Sequence, residues 1–244
     1  MDAGSAEAYT SLAMLKNRYD WDWAGSEHNF RRAIELDPGS VEAHRFFAFL
    51  LTALGRHTEA ISEIQTAEQL DPLSSLVQSD VGWDFYRARK YEQAERHLNR
   101  AIELDPQNDG AYRRLGNVYR EMGRYADAIA SLEKALALQS SNGSNRRYSV
   151  IFAVMYARMG RRDEALRMLK DLQRITDPAR FLERDTAAAW AALGNQDEAF
   201  RQLFPAVEKR SELLIFIKVD PMFDSLHSDP RWKELLRPMN FPEG

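Results

Sequence analysis

Apolar, small and polar positions along this chain return at a fixed interval. Leu36-Asp37-Pro38, Leu70-Asp71-Pro72 and Leu104-Asp105-Pro106 lie 34 residues apart, each closing a run of the type Ala-Ile-Glu-Leu-Asp-Pro, and the next interval lands on Leu138-Gln139-Ser140. Ala60, Ala94 and Ala128 keep the same spacing, Ala165 follows after 37 residues and Ala199 after another 34. Gly55, Gly123, Gly160 and Gly194 each precede one of those alanines by five, and the bulky planar residues Trp23, His57, Tyr91 and Tyr125 hold the same beat. Series in phase at such a period mark an internal repeat. Their residue types predict two antiparallel helices per unit. A small residue lets the second helix cross the first closely, so the alanine series, facing Gly82 and Gly116, belongs at the crossing. Ala33, Ala67, Ala101 and Ala135 fall where the second helix meets the following unit. Glycine turns the first helix into the second, and proline after Leu-Asp ends the second.

This pattern resembles the tetratricopeptide repeat. The resemblance is clearest in Tyr112 to Ala135, where Tyr112, Leu115, Gly116, Tyr119, Gly123, Tyr125, Ala128, Leu132 and Ala135 fall on that family's preferred residue types. It implies an all-α, right-handed superhelical solenoid of about six helix-turn-helix units, at 7–40, 41–74, 75–108, 109–145, 146–179 and 180–213, with a C-terminal helical cap over 214–244. The first unit departs from the pattern, with Ser26 at the crossing position and Tyr19-Asp20-Trp21-Asp22-Trp23 in place of the glycine turn. Three extra residues in Ser140 to Asn145 predict a longer loop that interrupts the stack. In the tail, Asp220-Pro221 and Asp229-Pro230 read as N-caps followed by a first-turn proline. A tail of this kind can cover the apolar end of a solenoid. Nothing equivalent precedes the first unit, so the chain reads as a domain excised from a larger protein. The Tyr-Asp-Trp-Asp-Trp turn, Leu54 to Ile61 and Ile217 to Leu226 resemble the wording of repeat regions attached to bacterial signalling proteins, namely winged-helix transcriptional regulators, Ser/Thr kinases and nucleotide cyclases.

Composition narrows the function. Apolar residues make up 44% of the 244 and charged residues 29%, which excludes disorder, and 12 glycines with 9 prolines favour helix over turn-rich β structure. Against 37 acidic residues stand 33 basic ones, a formal charge of −4, so no overall basic field exists to hold a nucleic acid. The absence of cysteine excludes disulfides and thiolate chemistry. The most apolar window, Phe46 to Leu54, is far short of the roughly 20 residues a membrane span needs, and the first eight residues have no signal-peptide character. The expectation is a cytoplasmic chain without membrane insertion, or a periplasmic one if its parent is membrane-anchored.

Candidate chemistry is thin. His28, His44, His57, His97 and His227 show no pair at metal-ligand spacing, and His57 has a packing explanation in the register of Tyr91 and Tyr125. No phosphate loop, dinucleotide fingerprint or nucleophile elbow is present, so neither enzyme activity nor a cofactor is expected. A hydrolase built on Asp20, Asp22 or Glu27 is the remote alternative. Asp220, Asp224 and Asp229 lack the calcium-loop pattern, and two of them precede proline.

Function in a helical solenoid lies on its surfaces, above all the inner face lined by the first helices. By the family register, that face carries Phe46, Phe49, Asp80, Trp83, Tyr86 and Arg87, then Arg113, Arg114, Asn117 and Arg120, then the bland row Ile151, Val154, Ala188 and Ala191. Rigid rings beside guanidinium groups are hot-spot chemistry. The reading is therefore a protein–protein interaction module that takes an acidic and apolar peptide or protein element on Phe46, Phe49, Trp83, Tyr86, Arg87, Arg113, Arg114, Asn117 and Arg120. Arg113 and Asn117 resemble the start of the clamp with which one subfamily grips a chaperone's terminal carboxylate, but Ile151 breaks it and chaperone binding is not expected. The alternative is a regulatory or self-association domain of a bacterial signalling protein, a monomer or weak homodimer.

Overall fold

Each Leu-Asp-Pro closes a helix because proline cannot extend it and the aspartate before it is held in extended backbone. Asp37, Asp71 and Asp105 each donate their N–H to the alanine four residues back. The next helix is then started by a side-chain cap: Ser40, Ser74 and Asn108 accept from the N–H groups of Ala43, Val77 and Ala111. In the computed structural model, which describes residues 5–139, 145–173 and 183–242, these signals produce α1 (Ala6–Leu15), α2 (Trp23–Leu36), α3 (Val41–Ala53), α4 (His57–Leu70), α5 (Ser75–Arg87), α6 (Tyr91–Leu104), α7 (Asp109–Glu121) and α8 (Tyr125–Leu138). Helices α2, α4, α6 and α8 are each 14 residues long, and each opens on the planar series Trp23, His57, Tyr91, Tyr125. Then come α9 (Asn145–Arg158), α10 (Arg162–Gln173), α11 (Glu183–Ala192), α12 (Gln196–Glu208) and α13 (Arg231–Leu236). No strand occurs among the described residues, and the architecture is an all-α solenoid of antiparallel helix pairs. The expected insertion at Ser140 to Asn145 lies, except for Asn145, outside the described residues, as does the expected boundary at 179 and 180.

The crossings are as close as the small residues imply. A Cβ on Gly116 would stand 2.8 Å from Leu132 Cγ and 3.2 Å from the Ala128 carbonyl oxygen, and one on Gly82 would stand 2.7 Å from Leu98 Cγ. Ala60, Ala94, Ala128, Ala165 and Ala199 are fully buried. Replacing Ala128 by Leu is expected to destabilise the chain by about 1–3 kcal/mol through overpacking; urea unfolding would show it, and an unchanged midpoint would mean that the pair has slack.

Glycine is needed where the first helix turns into the second, because the backbone there is left-handed: φ is +80° at Gly55 and +73° at Gly123. The same conformation falls on Trp21 (φ 54°) in the first pair and on Arg89 (φ 61°) in the third, where no glycine stands. Both positions meet the C-terminal segment. After α12 the chain turns at Arg210, also left-handed, and runs through short 3-10 turns at Glu212–Leu214 and Pro221–Leu226 to α13 and a last turn at Arg237–Met239. Asp220 caps its turn by accepting from Met222 N, with Pro221 in first position. Asp229 accepts from Arg231 N, so α13 begins one residue later than Pro230.

This segment returns to the beginning of the chain. Arg89 donates to the Val219 carbonyl (3.0 Å) and pairs with Asp224 (2.7 Å). Trp23 Nε1 donates to the Met239 carbonyl at 2.7 Å, and its ring stacks on Phe241 at 4.7 Å. Arg231 pairs with Asp197 of α12. One apolar cluster consequently includes Ala13, Trp21, Trp23 and Phe30 from the first pair, Ala187, Ala199, Phe200 and Leu203 from the last, and Leu214, Ile217, Phe223, Leu226 and Trp232 between them. A second cluster fills the middle, from Ala48 to Met155, and contains no residue of the returning segment.

Candidate functional site

The row expected to face inward lies on α3 (Phe46, Phe49), α5 (Trp83, Tyr86, Arg87) and α7 (Arg113, Arg114, Asn117, Arg120), and the returning segment lies across part of it. Phe216 meets Phe49 edge-on at 6.1 Å, and Phe49 in turn meets Phe46 at 6.0 Å. Phe46, Phe49, Trp83, Arg113 and Arg114 are half-buried, whereas Tyr86, Arg87, Asn117 and Arg120 are buried.

Of the buried four, Tyr86, Asn117 and Arg120 are engaged within the stack, a correction to the expectation that the whole row faces a ligand, whereas Arg87 borders a cleft. Arg120 is fully enclosed: it donates to Asn117 Oδ1 (2.8 Å) and Tyr86 Oη (3.1 Å) and pairs with Glu121 (2.8 Å). Burial works against its charge, but Tyr86 and Glu121 more than offset it and raise the guanidinium pKa above its ordinary value. This set ties α5 to α7, so Tyr86, Asn117 and Arg120 form a polar lock beneath the surface. The bland row Ile151, Val154, Ala188 and Ala191 is also buried, because the core of the last pairs is shared with the returning segment.

Asp80, 1% exposed, organises a second lock. Arg45 Nε donates to its Oδ2 at 2.9 Å and Arg114 Nη1 to its Oδ1 at 2.7 Å, with Ser79 Oγ a further acceptor for Arg114. Three consecutive pairs are clamped through one carboxylate. Arg114 therefore serves the scaffold as well as the surface, and its Cζ also lies 5.6 Å from the Trp83 ring centroid.

What remains accessible centres on a cleft of about 280 Å³ lined by Arg18, Trp83, Arg87, Arg113, Arg184, Glu212, Leu213, Ile215 and Phe216. Arg18 comes from the π-helical turn Lys16–Asp20 after α1, and Arg184 from α11, so closure of the chain brings them together. Trp83 stacks flat on Tyr86 at 4.5 Å. Arg87 lies between two rings, its Cζ 4.6 Å from the Trp83 centroid and 3.6 Å from that of Phe216. Arg184 pairs with Asp185 and Asp220. Burial pushes up the Asp220 pKa, but Arg184 and Arg87 win and hold it below the ordinary carboxylate value. Arg18 and the segment Glu212–Phe216 carry no signal in the sequence, since they meet the row only through the chain's return.

The remote catalytic candidates are otherwise engaged. Asp22 caps α2 through Gly25 N and pairs with Lys16 at 2.7 Å, and those contacts lower its pKa. Glu27 pairs with Arg31 and Arg56, each at 2.6 Å, and these pairs overcome burial to keep its carboxyl low. Neither is poised as a general acid. Asp20 is exposed. Among the described residues no group of three metal-ligating side chains converges, and no helix is long and apolar enough to cross a membrane.

Residues 22–75 and 80–143 match the family model described as tetratricopeptide repeat. Over 116 residues the chain is 29% identical to the type IV pilus assembly protein PilF of Pseudomonas aeruginosa, a stretch that is 47% of this chain and 46% of that protein. The chain thus spans less than half the length of this curated relative. Among solved structures, PilW, described as a widely conserved type IV pilus biogenesis factor, superimposes with a TM-score of 0.63 at 19% identity over 91% of this chain and 97% of its own. A thermophilic repeat protein of Thermus thermophilus gives 0.64 at 22% identity over 78% and 99%. At these identities the structures show the fold alone.

Proposed function

Since the chain belongs to the tetratricopeptide-repeat family and is a protein–protein interaction module of that kind, we propose that its inner face docks an extended or helical protein segment carrying acidic and apolar residues. The observation that carries this reading is the face's own occupant. Glu212-Leu213-Leu214-Ile215-Phe216, an acidic and apolar stretch, already lies on the row, with Phe216 against Phe49 and Arg87 and with Glu212 3.9 Å from Arg18. The partner's segment would lie beside it, on Phe46, Arg113 and the part of Trp83 left half-buried. Aromatic rings give area at little entropic cost, and a guanidinium gives a bidentate contact to a carboxylate. In this reading the repeat body over 7–213 presents the face and the segment 214–244 sets its curvature. If the parent is a signalling protein of the kind whose wording the chain resembles, the face would couple its effector domain to the partner.

Arg113→Glu is the variant that tests the reading, because Arg114→Glu would also break the Asp80 lock. Screened by fluorescence polarisation against acidic-apolar peptides, the parent chain is expected to bind a subset and Arg113→Glu to bind it at least tenfold more weakly, with circular dichroism unchanged. Equal binding by both would overturn the assignment.

A further inference from the structure

The irregular turn of the first helix pair borders a second and larger space. Asp20 to Trp23 line a cavity of about 620 Å³ together with the turn between α3 and α4 and two stretches of the returning segment. It shares no lining residue with the inner cleft, and its volume falls in the range of roughly 300–1,000 Å³ typical of small-molecule sites. Where glycine turns the second pair, the first uses a π-helical turn, Lys16–Asp20, and Trp21 in left-handed backbone (φ 54°). Asn240, in the same lining, is left-handed too (φ 52°). Such backbone is costly for a bulky residue, and π-helical turns and strained residues gather at functional sites.

The lining combines apolar walls with two open charges. Trp21 and Trp23 are buried and form its floor, Trp23 giving its indole N–H to the Met239 carbonyl and one ring face to Phe241, and Trp21 facing Arg210. Leu54, half-buried, and Pro242, exposed, keep apolar surface accessible. Five charged side chains line the cavity, and three are paired within the fold: Asp22 with Lys16 at 2.7 Å, and Glu27 with Arg56 at 2.6 Å. The other two are Asp20, which is exposed, and Lys218, half-buried with its Nζ 5.6 Å from the Phe241 ring centroid. Among the described residues neither side chain has a hydrogen bond or an ion pair. The exposed Asn240 amide is equally unbonded there and offers both a donor and an acceptor.

We propose that this cavity binds a small apolar zwitterion, of the class of amino acids and dipeptides, with its ammonium on Asp20, its carboxylate on Lys218 and its apolar side chain against Leu54 and Pro242. One accessible charge of each sign beside apolar walls is what selects this class. An apolar amine leaves Lys218 without a counter-charge and an apolar acid leaves Asp20 without one, whereas a zwitterion pairs both through charge-assisted hydrogen bonds. Lys218 and Asn240 reach the first pair only through the chain's return, so the site exists while the chain is closed and its occupant stabilises that closure by mass action. The inference is independent of the docking function, which uses a different face.

Calorimetric titration of the full chain with the dipeptide Leu-Phe, its N-acetyl and C-amide forms, and free phenylalanine provides the test. Expected is saturable binding of Leu-Phe with a rise in melting temperature, weakened about tenfold or more by Asp20→Asn, by Lys218→Met and by blocking either end of the peptide. The losses should pair off: N-acetyl-Leu-Phe is insensitive to Asp20→Asn, and the amide is insensitive to Lys218→Met. Ala24→Phe, which adds bulk at an exposed position of the lining and leaves both charges in place, should abolish binding. Binding of phenylalanine as well as Leu-Phe assigns the site to amino acids, and binding of Leu-Phe alone assigns it to short peptides; both support the proposal. No saturable binding of either overturns it, as does equal affinity for the blocked peptides, which would make the cavity merely apolar. Binding that Arg113→Glu removes and Ala24→Phe spares belongs to the inner face and also overturns it. If Asp20→Asn or Lys218→Met lowers the unliganded melting temperature, the blocked peptides and Ala24→Phe decide by the same criteria. None of these outcomes bears on the docking function, whose test is the Arg113→Glu comparison.

Discussion

Ending the chain after Ser211 is expected to unfold its two ends and leave its middle. The removed segment contributes Leu214, Ile217, Phe223, Leu226, Leu235 and Met239, all fully buried, and Trp232, 7% exposed. A large apolar side chain is worth about 1.5–3 kcal/mol when buried, so their summed loss is as large as the roughly 5–15 kcal/mol that holds a typical domain together. Polar partners go with them: Trp23 loses the Met239 carbonyl, Arg184 loses Asp220, and Arg89 loses both Val219 and Asp224. The effect is local because a solenoid's stability is a sum over neighbours. The middle cluster, which runs from Ala48 through Ile64, Leu98 and Leu132 to Met155, has no member in the removed segment. Circular dichroism and hydrogen exchange on the truncated chain should therefore show α4 to α8 protected, α1, α2 and α10 to α12 exchanging freely, and α3 and α9, which contribute to both clusters, between the two, with a broadened melt. As a point test, Phe223→Ala should cost about 3–5 kcal/mol. A truncated chain that melts like the parent would mean that the segment is a dispensable cap.

That contrast also explains what could be read from residues alone. The period, the paired helices, their ends at Leu36, Leu70 and Leu104 and the close crossings at Ala94 and Ala128 depend on residues within one unit of each other, and local rules of capping and packing suffice. The site depends on a return over long sequence separation, as from Trp23 to Met239, and no period encodes it. Its traces were nevertheless present as departures. Where the beat calls for glycine, the first pair has Trp21 and the third has Arg89, each in a left-handed conformation that costs free energy for such residues. Arg89 bonds the returning segment and Trp21 shares its apolar cluster, so the places where the repeat is irregular are the places where it is clasped. The arginine row divides for a related reason. Arg113, Arg114 and Arg120 share one helix, but α7 is contacted from several sides: Arg120 faces Tyr86 inside the stack, Arg114 reaches back to Asp80, and only Arg113 lines the cleft.

The buried carboxylate of Asp84 is expected to make the chain less stable as pH rises from about 4 to 7. It is 1% exposed and accepts one hydrogen bond, from Thr52 Oγ1 at 2.9 Å, while its second oxygen has no donor. Burial therefore favours the neutral acid, and Arg87 nearby offsets only part of this, so the pKa is pushed up from 3.8 to about 7. Between those values the folded chain holds a proton that the unfolded chain has released, and stability falls with pH wherever the folded state binds more protons. At roughly 1.4 kcal/mol per pKa unit, a shift of about three units removes roughly 4 kcal/mol by pH 8. Asp220 contributes with the opposite sign, but its folded pKa lies below 3.8 and its contribution is constant above pH 5. His44, raised above 6.5 chiefly by its bond to Glu63, adds to the decline, while His57, lowered by burial, subtracts from it. The diagnostic quantity is thus a difference between two chains rather than one slope. Asp84→Asn keeps an oxygen for Thr52 and removes the titration. Urea unfolding should find Asp84→Asn close to the parent at about pH 3.5 and more stable at about pH 8, by up to roughly 4 kcal/mol. If Asp84→Asn is instead the less stable chain at about pH 8, the fold favours the Asp84 carboxylate over the neutral acid, and it serves as the missing partner of Arg87.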